Sequence, residues 1–97
     1  MKFLVTWRVH DDSRYEALKA FSAMTAEDDQ ADFGENLRVI GRWHDLVSFT
    51  GAAICETNDP AAVHAWILNW NEIIDADVIP VLDDEECRAV GRAKFAD

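Results

Sequence analysis

The sequence predicts an α+β fold: a four-stranded antiparallel sheet, two main helices on one face, and an extra C-terminal helix. Three observations carry this expectation. Phe3, Val5, Trp7 and Val9 alternate with Leu4, Thr6, Arg8 and His10, the period of two of a strand with one apolar face. Val63, Trp66, Ile67 and Trp70 fall at i, i+3, i+4 and i+7, one stripe of a helix that must be buried against something flat. The elements also follow one another as strand, helix, strand, strand, helix, strand, with a helix to close. That order is the split βαβ, or ferredoxin-like, plan.

Each element has its own signals. After the first strand, Asp11 and Asp12 end the alternation, and Ser13-Arg14-Tyr15-Glu16 reads as a capping box with Ser13 as N-cap. Ala17, Leu18, Phe21 and Met24 form the stripe of the first helix. The acidic residues of stretch 27–35 (Glu27, Asp28, Asp29, Asp32, Glu35) break that stripe, and Gly34 marks an exit turn. Leu37 to Trp43 reads as the second strand, with Leu37, Val39, Gly41 and Trp43 on one face and Arg38, Ile40, Arg42 and His44 on the other. Asp45 to Phe49 is a loop, and Thr50 to Glu56 a third strand paired with the second as a hairpin. Asp59 is expected to cap the tryptophan helix, with Pro60 at its first position. Ala76 to Leu82 is the fourth strand, and Pro80, which cannot donate to a ladder, places it at a sheet edge. The last helix opens on Asp83, Asp84, Glu85 and Glu86 and carries Arg88, Arg92 and Lys94 towards its end, matching the helix dipole. The right-handed crossover rule sets strands one and three side by side in the middle. Strands one and three are expected to share one direction, and strands two and four the other.

The 97 residues suit a single domain, 1–97. Such a chain buries only roughly 60–65% of its unfolded surface, so a partner subunit would add useful burial. The net charge of −10 argues against nucleic acid and anionic membranes as partners. No run approaches the ~18 apolar residues of a membrane span, and the start lacks a signal-peptide pattern. Cys55 and Cys87 show no Cys-x-x-Cys spacing, and free thiols in a reducing cytoplasm are expected. No Gly-rich phosphate loop, nucleophile elbow or metal-spaced glutamate pair is present, so no cofactor and no metal is expected.

The face opposite the helices is expected to carry Leu4, Thr6, Arg8 and His10 with Arg38, Ile40, Arg42 and His44. This holds three of the nine basic residues beside apolar ones. Two such faces packed about a two-fold axis would enclose a cavity. Thr6, Arg8, Arg42 and His44 are therefore the candidate ligand-binding residues, for a small anionic or aromatic molecule held in a homodimer. His10 and His44 end strands expected to be antiparallel, which sets them at opposite ends of the sheet and argues against a shared zinc site with His64. His44-Asp45 as an acid–base dyad conflicts with strand alternation, and a surface turn fits better. Trp66 and Trp70 read as core, and Cys55 as a buried structural thiol.

The segments Phe3-Leu4-Val5-Thr6-Trp7, Gly41-Arg42-Trp43-His44-Asp45-Leu46, Glu56-Thr57-Asn58-Asp59-Pro60, Trp66-x-x-x-Trp70 and Asp77-Val78-Ile79-Pro80-Val81 together resemble the domain of unknown function 3303 family. The resemblance reaches from the N-terminus to about Val81. It implies a ferredoxin-like fold of the dimeric α/β barrel type in a small, soluble bacterial protein. The family has no established activity, so the resemblance carries over no catalytic residue. Three functions remain in view: a small-molecule binding module, a cofactor-free monooxygenase- or isomerase-like enzyme using His44 or Asp77, and a structural or regulatory dimer without a ligand. The enzyme reading rests on fold analogy alone.

Overall fold

A computed structural model describes residues 1–97. The chain forms β1 (Lys2–Val9), α1 (Arg14–Ser22, entered by a 3-10 turn at Asp11–Ser13), α2 (Ala26–Phe33), β2 (Arg38–Asp45), β3 (Thr50–Glu56), α3 (Pro60–Leu68), β4 (Ile74–Val81) and α4 (Asp84–Lys94). The sheet order is β2-β3-β1-β4, with β1 and β3 central and Pro80 on the edge strand β4. This is the expected ferredoxin-like arrangement.

The strand directions correct the sequence reading. β3 is antiparallel to both β1 and β2, and β4 is antiparallel to β1. β1 and β2 therefore run the same way, and β3 and β4 the other. This follows from the connectivity: the α1–α2 crossover returns the chain to the end of the sheet where β1 began, and β3 then fits between them as a reversed strand. His10 and His44 consequently lie at the same end of the sheet.

A second correction concerns β2. Val39 pairs with Cys55, but Gly41 already pairs with Ile54, so one extra residue interrupts the ladder at Ile40-Gly41. A bulge of one residue reverses the side-chain parity of everything after it. Rows across the sheet make this explicit. Arg42, Ala53, Val5 and Val78 form one row, and His44, Gly51, Trp7 and Ala76 another, both on the helix side. Trp43, expected inside, shares its row with Ala52, Thr6 and Asp77 on the open side and is 63% exposed. Arg42 and His44, expected on the open face, are on the helix face.

The helices owe their limits to local chemistry. Asp59 accepts a hydrogen bond from the Ala61 amide at 3.0 Å, and Pro60 opens α3 as expected. Trp70 lies just past the helix, in the turn leading to β4. Ser13 precedes α1 without a side-chain cap, its hydroxyl turned to Asp12 instead. The capping boxes are at Thr25/Asp28 before α2 and Asp83/Glu86 before α4. α2 occupies most of the acidic stretch that shows no apolar stripe in sequence. The core of Phe3, Val5, Leu37, Ala53, Cys55, Val63 and Trp66 lies between α3 and the sheet. Neither α1 nor α4 contains a buried residue. No helix is long and apolar enough to cross a membrane.

Candidate functional site

Because α1 stands off the sheet, a cavity of about 100 Å³ remains beneath it, bounded by α1, the end of α3 and the β1–β2 end of the sheet. Its walls are mainly apolar: Trp7 from the sheet, Leu18 and Phe21 from α1, Phe49 from the β2–β3 turn, and Ile67 and Ile74. Glycine makes room for one wall. A Cβ on Gly51 would fall 2.2 Å from the Trp7 indole, so the ring lies flat over that residue.

The polar groups at the cavity come from the shifted half of β2 and from the start of α1. Arg42 has a side chain only 15% exposed; its Nη2 donates to Asp29 Oδ1 of α2 at 3.2 Å, and its guanidinium lies over Phe21 (4.7 Å) and Phe33 (5.1 Å). His44 packs against Phe21 at 4.8 Å and edge-on to Trp7 at 5.7 Å. Burial first, and the nearby Arg42 charge second, hold its pKa below the ordinary histidine value, which favours the neutral imidazole. Asp45, also at the cavity, does not pair with His44. Its carboxylate accepts from the Val47 amide at 2.8 Å and from the Ser48 hydroxyl at 2.9 Å, and these bonds, the Val47 amide first, lower its pKa. The turn expected in place of a His-Asp dyad is what forms. Arg14 completes the set, with its Nη2 on Asp11 at 3.1 Å and its guanidinium over Phe49 at 5.3 Å.

The four sequence candidates are thus divided between two faces. Arg42 and His44 line the cavity, whereas Thr6 and Arg8 lie in register on the open face with Asp77 and Asp75. Asp77, considered with His44 as an acid–base group, is on that open face too. Sequence reasoning missed Arg14, Phe21 and Phe49 as residues that line the same cavity as His44. The signal that could have found them is Gly41: a glycine inside a strand marks a bulge, and a bulge there turns His44 towards α1. His10 Nε2 donates to Asp75 Oδ1 at 3.1 Å on the β4 side, three residues further along β1 than the His44 row, so the imidazoles have separate partners despite sharing one end of the sheet.

The back wall is tied by one carboxylate. Asp32 of α2 accepts from Trp66 Nε1 at 3.0 Å and from Trp70 Nε1 at 2.9 Å, and the Asn69 amide donates to it at 3.0 Å. Trp66 is a core residue, as expected, whereas Trp70 is half-buried against that core, and Asp32 satisfies both indole donors. Asp29 and Asp32 therefore give the acidic stretch a structural role, fastening α2 to β2 and α3. Cys55 is fully buried, and burial pushes its thiol up to about 11, consistent with a structural residue. Cys87 is an exposed free thiol.

These features define a ferredoxin-like α+β domain with an aromatic cavity on the helix side of its sheet. The chain belongs to the family described as Domain of unknown function (DUF3303), whose model matches residues 1–95. No curated protein and no solved structure matches it.

Proposed function

We propose that this protein is a small-molecule binding module that acts as a homodimer, with the ligand held under α1 of each protomer rather than between the two sheets. The cavity carries the reading: an aromatic-walled space beside two guanidiniums and an imidazole, in a chain of net charge −10. At about 100 Å³ it is smaller than the apolar cavity of roughly 150 Å³ known to admit benzene, so it suits nothing larger than one ring. Fluorobenzene observed by 19F NMR tests it. Line broadening with the wild-type protein is expected, together with its loss in Ala17→Phe, which fills the space from α1. A probe signal unaffected by the protein would sink the reading.

Support for a second copy comes from the open face. Leu4, Ala52, Ile54, Trp43 and Ile79 form an apolar centre, rimmed by Lys2, Arg8 and Arg38 and by Glu56, Asp75 and Asp77. A rim with both signs of charge can complement itself across a two-fold axis, whereas a uniformly charged partner would meet like charges. Thr6 and Arg8 then belong to the subunit contact. Native mass spectrometry reads the state directly, and a one-chain mass would remove the dimer.

One observation favours an enzyme as the second reading. His44 is held neutral beside the cavity, the form a general base needs. Under the binding reading His44→Gln leaves ligand affinity within about threefold and no turnover is found. Conversion of a bound ligand that disappears in His44→Gln would instead establish catalysis.

A further inference from the structure

Phe49 has a backbone conformation that its side chain does not favour. It is the only residue other than glycine with a positive φ, at 54°. A left-handed position at the end of a hairpin loop is ordinarily filled by glycine or asparagine, because a bulky side chain there crowds its own backbone. The chain on both sides holds Phe49 in that conformation. Asp45 accepts from the Val47 and Ser48 amides at 2.8 and 3.3 Å and from the Ser48 hydroxyl at 2.9 Å, which fixes the turn up to Ser48. The Phe49 carbonyl then accepts from the Val9 amide of β1 at 2.9 Å, and β3 begins at the next residue. Strain over-determined by its surroundings in this way points to a use for the side chain.

The position of the ring supplies that use. It reaches from the β2–β3 turn to the start of α1, where Tyr15 meets it edge-on at 5.6 Å and the Arg14 guanidinium, paired with Asp11, lies over it at 5.3 Å. α1 has no buried residue and makes no side-chain hydrogen bond or ion pair to the sheet. The gap beneath it is bridged by aromatic rings instead: Phe21 against Arg42 and His44 at one end, Phe49 at the other. Phe21 occupies an ordinary helical position, whereas Phe49 is placed at a backbone cost. We propose that Phe49 sets the size limit of the cavity, its ring closing the end between the turn and α1 so that one ring is admitted and two fused rings are excluded. This rests on the binding reading above and adds the selecting residue to it. Glycine would suit the backbone better at this position and would leave that end open.

The test compares fluorobenzene with 1-fluoronaphthalene by 19F NMR on the wild type, Phe49→Gly and Phe49→Ala. The wild type is expected to bind the two-ring probe at least tenfold more weakly than fluorobenzene. Each variant is expected to raise 1-fluoronaphthalene affinity at least tenfold. The variants differ by one Cβ at a left-handed position, so Phe49→Gly should have the higher melting temperature. Tyr15→Ala removes a ring that is 78% exposed and leaves the turn intact, so it tests the same closure without touching the strained residue. It should raise 1-fluoronaphthalene affinity at least threefold by freeing the Phe49 ring. A size preference unchanged in all three variants, or equal melting temperatures for Phe49→Gly and Phe49→Ala, overturns the selecting role and leaves the cavity standing. Failure of both probes to bind any of the four proteins overturns the cavity reading itself.

Discussion

Asp32 holds more of the site together than any other single side chain. Replacing it by alanine removes the acceptor for two indole N–H groups and one amide at once. A buried donor left without its partner costs ~1–3 kcal/mol, and the site is partly open to water, so Asp32→Ala should lower stability by about 2–3 kcal/mol in urea unfolding. Asp32→Asn, which keeps one acceptor oxygen, should lose less. Gly51 is the steric counterpart. A methyl group there cannot coexist with Trp7 as placed, and the Trp43 carbonyl is 2.8 Å away on the other side. Gly51→Ala should cost ~1–3 kcal/mol by overpacking and narrow the cavity as the indole moves, which loss of the fluorobenzene signal would register. His44 sets a pH dependence. Its folded-state pKa lies below the unfolded value of 6.5, so between those two values the unfolded chain binds more protons and stability rises with pH. Above 6.5 this contribution is flat. Asp45, Glu56 and Asp83, whose pKa values are lowered, lose their contributions only at more acid pH. Melting temperatures from about pH 5 to about pH 8 should therefore show a slope below neutrality that His44→Gln flattens.

At the scale of elements, the bulge in β2 decides what the site contains. It turns Arg42 and His44 under α1 and sends Trp43 outward. Deleting Ile40 gives a regular ladder in which Gly41, Arg42, Trp43 and His44 keep their β3 partners, so Arg42 stays beside Asp29 and its aromatic neighbours and Trp43 stays outside. The deletion variant should therefore still bind fluorobenzene; loss of binding with the fold retained would mean that the extra residue itself, and not the pairing beyond it, positions the site. The same bulge marks the limit of what the sequence discloses. β1 is legible because eight residues alternate without interruption, and α3 because Asp59 and Pro60 mark its start so strongly. β2 is legible as a strand but not in its orientation, since a period of two carries no memory of an inserted residue. α2 escapes because its helix rests on the Thr25–Asp28 capping box and on polar clamps, with no apolar stripe to read. The direction of β2 was derivable, because a fully antiparallel sheet in the order 2-3-1-4 requires it. The cavity was not: it depends on how far α1 stands from the sheet, which is a matter of packing distances and leaves no trace in spacing.

For the molecule as a whole, the question is what covers its remaining apolar surface. Nine of 97 residues are buried, and the radius of gyration is 15.7 Å. A compact chain of this length would have about 12.5 Å. The longest dimension, 56 Å, is about twice the length of an eight-residue strand. α4 accounts for the excess: it is fastened at its start, where Lys2 meets Asp83 at 3.2 Å and Glu86 at 3.3 Å, yet Val90 and, just beyond its end, Phe95 are 60% and 83% exposed. These carboxylates and Glu56 raise the Lys2 pKa, so on the alkaline side the contact persists until strong alkali, while on the acid side it is lost as Asp83 and Glu56 protonate. An anchored helix with an uncovered apolar stripe, next to a sheet face with an uncovered apolar centre, fits a chain completed by its own copy. Trp43→Glu tests this cleanly. The ring is already 63% exposed, so the change should cost the isolated chain less than about 1 kcal/mol. In the dimer it would place a carboxylate inside the apolar contact, and sedimentation should show the mass falling from two chains to one with the circular dichroism of the fold retained. A chain ending at Leu82 should dissociate as well, because it removes the α4 stripe while leaving the sheet untouched. If only the truncated chain falls apart, α4 holds the copies together and the open sheet face lies outside their contact. If only Trp43→Glu does, the sheet faces form the interface and α4 has another partner.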